Sequence, residues 1–101
     1  MVFDVYEVGG IGEIVEKKEK ERELFLVPEN EKVFLVLNKN TIEVRTDGKL
    51  GKLLREKYES VMESRYFGRG GIEIVMSGQM SDEEVKDLVR LSYNLTSAIE
   101  E

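Results

Sequence analysis

The chain has 101 residues, 36% of them charged, and a formal net charge of −6 from 15 basic and 21 acidic side chains. That length fits one domain over residues 1–101, with a core closed by two packed layers. Cys, His and Trp are absent, which removes disulfides, thiol nucleophiles, thiolate metal sites and the imidazole base.

Any catalysis would therefore rest on carboxylates, Lys, Tyr or Ser. Paired-carboxylate chemistry needs two acids converging in a cleft, and no spacing indicates such a pair. A non-enzyme without cofactor or metal is the expectation. The excess of Glu and Lys leans toward a thermophilic source. No apolar run approaches the roughly 18 residues that span a bilayer, and Met1–Val8 lacks the basic start of a signal peptide. A soluble cytoplasmic protein without a membrane partner is expected. Its acidic balance runs against nucleic-acid binding, which draws affinity from Lys and Arg, but leaves room for a local basic patch.

In chain order, residues 2–8 alternate Val2, Asp4, Tyr6 and Val8 against Phe3, Val5 and Glu7, the pattern of a short strand. Gly9-Gly10-Ile11-Gly12 breaks it. Residues 13–23 are nearly all good helix formers, with Glu13/Lys17 and Glu16/Lys20 at i,i+4, and predict a solvated surface helix. Leu24–Val27, Val33–Leu37 and Thr41–Thr46, joined by Pro28–Glu31 and Asn38–Asn40, predict a three-stranded antiparallel meander. Asp47 or Thr46 caps a helix over 49–59 with Leu50, Leu53, Leu54 and Tyr58 as its apolar stripe. A Gly/Arg loop covers 62–71, and Ile72–Met76 is another strand. A capping box of Ser81 with Glu84, and a staple of Met80 with Val85, open a final helix. The sum is an α+β domain: an antiparallel sheet of about 4–5 strands with helices packed mainly on one face.

Several strings in this order resemble the MmcQ/YjbR family, whose fold is described as double-wing, CyaY-like or secretion-chaperone-like. They are Lys32-Val33-Phe34-Leu35-Val36, Asp47, Leu54-Arg55-Glu56-Lys57-Tyr58, Gly78, Ser81–Glu84, Leu88-Val89 and Ser92-Tyr93-Asn94-Leu95. The resemblance spans about three-quarters of the chain and implies that family's fold. It also suggests DNA binding, a role attached to the family from its wing-like hairpins. Two departures stand out. Relatives begin with the helix, without a preceding strand, and they carry a His-, Asn- and Trp-containing segment before the penultimate strand. Here Arg65-Tyr66-Phe67-Gly68-Arg69-Gly70-Gly71 stands in that place.

That loop is the leading candidate site. Arg65 and Arg69 make it locally positive, its glycines allow an anion-binding nest, and Tyr66 and Phe67 offer rings for a base, with one of them turning inward. The plainer reading is a hairpin whose arginines pair with nearby Glu. Lys49 and Lys52, with Arg55 and Lys57, form a second basic group that also suits an ordinary solvated helix face. Residues 49–69 together hold six basic and three acidic side chains. The expected function is a binding module with nucleic acid as a candidate partner, through Arg65, Tyr66, Arg69, Lys49 and Lys52. The alternative is a protein-interaction or chaperone-like module acting through an exposed sheet face as a homodimer, since Phe3, Phe25 and Phe34 add to the surface one core must cover.

Overall fold

The computed structural model describes residues 3–76 and 78–99. Six strands form one antiparallel sheet: β1 (Val15–Lys18), β2 (Glu23–Val27), β3 (Lys32–Leu37), β4 (Thr41–Arg45), β5 (Val61–Ser64) and β6 (Gly68–Val75). Their order across the sheet is β1-β2-β3-β4-β6-β5. Helix α1 (Gly48–Lys57) packs on β5 and β6, and α2 (Asp82–Ser97) on β3 and β4. Both helices cover one face, here called inner, as the apolar patterning requires. The outer face lies opposite.

Three expectations are corrected. The segment 13–23 is β1 and its turn rather than a helix: Ile11, Ile14 and Val15 are too few anchors for a helical face, and backbone pairing with β2 overrides propensity. All of β1 is exposed at the sheet edge. Second, Val5–Glu7 form a 3₁₀ turn rather than part of a strand, because Asp4 Oδ1 accepts the Tyr6 N–H at 2.9 Å; Met1 and Val2 lie outside the described residues. Third, the loop 62–71 shrinks to Arg65–Phe67, with β5 and the start of β6 on either side. With β1 and β5 added, the sheet has six strands rather than four or five.

The inner core joins Phe25, Phe34, Leu35, Ile42, Val44, Ile72 and Ile74 to Val85, Leu88, Val89 and Tyr93 of α2. One irregularity locks α2 in place. Phe25 pairs with Leu35 but Leu26 pairs with Val33, so Phe34 is an extra, bulged residue in β3. Its carbonyl accepts the buried Ser92 hydroxyl at 2.5 Å, while Ser92 Oγ accepts the Arg45 N–H at 2.8 Å. A helix side chain thus supplies both bonds that the sheet ladder lacks there. Ser92→Ala should lose about 2 kcal/mol in urea denaturation, because it leaves a buried donor and a buried acceptor unpaired; an unchanged midpoint would contradict this role.

The caps fall where expected. Asp47 accepts the Leu50 N–H at 2.8 Å and Ser81 the Glu84 N–H at 3.2 Å. The N-terminal segment is tied across α2 by Arg90, which donates to the Val8 and Gly9 carbonyls, and by the Tyr93 hydroxyl, which donates to the Glu13 carbonyl.

Candidate functional site

Strand register places Met62, Glu73, Glu43, Val36, Leu24 and Lys17 in one row across the outer face. Glu43 and Glu73 are therefore direct cross-strand neighbours, a repulsive placement for like charges. Both are also buried, each only 2% exposed. What covers them is the turn between β5 and β6.

Three extra residues of β6 intervene between the Glu63–Ile72 and Ser64–Gly68 pairs, and Gly68 at φ 62° allows the chain to curl over the outer face. The resulting strap, Arg65–Phe67, delivers donors to both carboxylates. Arg65 grips Glu73 as a fork, Nε to Oε1 at 2.9 Å and Nη2 to Oε2 at 2.7 Å. The Tyr66 N–H donates to Glu43 Oε1 at 2.9 Å, and the Ser64 hydroxyl donates to the same oxygen at 2.8 Å while accepting the Phe67 N–H. From below, the Thr41 hydroxyl donates to Glu73 Oε2, and the Asn38 amide donates to both Thr41 and Glu43 Oε2. Burial pushes the Glu73 carboxyl up, but the Arg65 fork and the Thr41 hydroxyl outweigh it and hold the group below its usual range.

Phe67 is the ring that turns inward. With Leu26 it packs against Leu24, Val33 and Val36, closing a second apolar cluster on the outer face. Arg45 lies 4.7 Å above its ring centroid, and Tyr66 meets it edge-on at 5.0 Å. Tyr66 stays partly exposed with the Arg22 guanidinium 5.1 Å above its ring centroid. The centre of the outer face is thus covered by the chain itself, as are Phe25 and Phe34 on the inner side.

Beside the strap an open groove of about 990 Å³ runs between the β1–β2 turn (19–22) and the β3–β4 turn at Asn38 and Lys39, with Glu43 and Arg65 along its length. Lys20, Arg22, Lys39 and Arg65 set four cations there against Glu19, Glu21 and Glu43 of the lining and Glu73 behind Arg65, with Arg22 paired to Glu19 at 2.6 Å and Arg65 to Glu73. The groove is thus balanced in charge within a chain of net charge −6. Arg65 keeps 75% of its side chain exposed while bonded to Glu73. Arg65 presents its exposed guanidinium to the groove, and Tyr66 stands outside the lining with its ring against Arg22.

The residues singled out from sequence are divided by the sheet. Arg65 and Tyr66 belong to the strap on the outer face. Lys49 and Lys52 are exposed on α1, which packs on the inner face. Arg69 is exposed in the bulged start of β6, next to Gly70, whose carbonyl accepts the Thr46 N–H just before α1. Lys20, Arg22, Lys39, Asn38, Glu43 and Glu73 were not singled out. Glu43 and Glu73 fall at the polar positions of alternating strands, a pattern that marks solvent-facing residues and carries no sign of a covering strap. Among the described residues no group of carboxylates is placed to hold a metal ion, and no helix is long and apolar enough to cross a membrane.

Fold and groove together define a small α+β domain with both helices on one face of the sheet and a strapped polar groove on the other. Two solved structures share that fold. A Deinococcus radiodurans protein with a DUF419 domain superposes with a TM-score of 0.77 at 15% identity, over 88% of this chain and 72% of its own. A Pseudomonas syringae protein superposes with a TM-score of 0.72 at 17% identity, over 82% of this chain and 86% of its own. At such identities the likeness is one of fold. No family model matches the chain, and no curated protein does.

Proposed function

We propose that the chain is a divergent relative of the MmcQ/YjbR double-wing proteins and a non-enzymatic binding module that holds single-stranded nucleic acid in the outer-face groove. The ordered strings from Lys32 to Leu95 support the relationship. The binding reading is carried by one observation: Lys20, Arg22, Lys39 and Arg65 gather in one groove, beside the partly exposed Tyr66, in an otherwise acidic chain. Cations that follow a phosphate backbone, with a ring for a base, are the parts such a site needs. An unpaired strand can present its bases to that ring, which a duplex cannot.

Anisotropy titration of a labelled oligothymidine at salt from roughly 20 to 200 mM tests this, with log affinity expected to fall linearly against log salt at a slope of about −2. Absence of binding at the lowest salt would overturn the reading. A protein-interaction module working as a homodimer is favoured by a different observation, the exposed edge strand β1, where Val15 is 46% exposed. Sedimentation at micromolar concentration decides it: a dimer that dissociates when Val15 becomes Lys supports the edge contact, and a strict monomer ends it.

A further inference from the structure

Surface arginines are usually mobile, and an arginine that must be ordered on binding loses affinity to the side-chain entropy it gives up. Arg65 differs. Its Nε and Nη2 are both committed to the two oxygens of one buried carboxylate, which fixes the plane of the guanidinium. Among the described residues no partner is bonded to its Nη1, and the side chain is largely exposed on the groove side. Glu73 is itself immobilised by the Thr41 hydroxyl at 2.6 Å. Next to it Glu43 holds the Tyr66 N–H, and through that backbone the ring under Arg22. The two acids sit behind the strap and hold the Arg65 Nε and Nη2 donors and the Tyr66 N–H in set positions.

We infer that Glu73 and Glu43 are positioning residues for ligand recognition: lying beneath the strap, they hold the Arg65 guanidinium and the Tyr66 ring in the arrangement that meets one phosphate and one base of a single strand. The inference rests on the nucleic-acid reading of the groove. It gives two acidic residues a favourable part in binding a polyanion, opposite to what their charge alone would do.

The opposition of sign makes the test sharp. Glu73→Gln removes one negative charge beside the groove while keeping the side-chain shape. If Glu73 acts only through its charge, the oligothymidine binds more tightly. If it positions Arg65, affinity falls about tenfold and the salt slope shrinks by about 0.7, the value of one lost phosphate contact. Thermal melting under the binding conditions confirms that the variant is folded. Should it not fold, Arg65→Lys decides, because it keeps the charge and loses the fork: a clear drop in affinity supports positioning, and wild-type affinity overturns it. Wild-type protein that fails to bind would sink the groove reading and this inference together. Wild-type binding with equal or tighter binding by Glu73→Gln would sink the inference alone.

Discussion

Phe34→Ala should be the most damaging single truncation in the core, lowering stability by about 3–5 kcal/mol. Phe34 is fully buried and meets the Tyr93 ring edge-on at 4.9 Å between centroids. As the bulged residue of β3, it also offers the carbonyl that Ser92 grips. Its loss leaves a cavity where sheet and α2 meet and removes the packing that shapes the bulge. A domain of this size has roughly 5–15 kcal/mol in hand, so the variant should sit near the edge of folding. Urea denaturation measures it. A loss below about 1 kcal/mol would mean that the site collapses freely and that the bulge is not held by packing.

Gly71→Ala should act on the strap from beneath. A Cβ at this position would lie 2.5 Å from the Val44 carbonyl oxygen and 2.8 Å from Phe67 Cβ. The first contact is backbone of β4, the strand with which Gly71 is paired, and the second is the root of the ring that anchors the strap. Neither moves cheaply, so either the β4–β6 ladder shifts or Phe67 is pushed off the outer face. The expected loss is about 1–3 kcal/mol, with faster trypsin cleavage after Arg65 and Arg69 as the strap loosens. Unchanged stability together with unchanged cleavage would show that the strap does not depend on close approach at Gly71.

What the residues announced and what they concealed follow a physical division. Helix caps at Asp47 and Ser81, the meander from Leu24 to Arg45 and the apolar face of α2 rest on local chemistry or simple periodicity, and all were legible. Three residues of the strings between Lys32 and Leu95 fasten the architecture: Phe34 makes the bulge, Ser92 fills its missing bonds, and Tyr93 pins the N-terminal segment. Such residues speak for a fold more than for a ligand. Strand β1 was hidden because its partner, β2, supplies the reason for its conformation; its own residues favour a helix. The site was half legible. Arg65 and Tyr66 drew notice from their Gly-rich setting, whereas Glu43 and Glu73 look like ordinary solvent-facing residues until a turn some twenty residues from Glu43 folds over them. Lys49 and Lys52 are close to Arg65 in sequence, but the sheet stands between.

That separation of the two basic groups is the point on which the functional account is most exposed. Oligothymidine binding by Arg65→Gln should be compared directly with binding by a Lys49→Gln/Lys52→Gln double variant at one low salt concentration. Binding in the strapped groove predicts that Arg65→Gln loses about tenfold or more, while the double variant, despite losing two positive charges, stays much closer to wild type. If the lysine variant loses as much affinity as Arg65→Gln, or more, the ligand lies on the helical side and the groove is not the site.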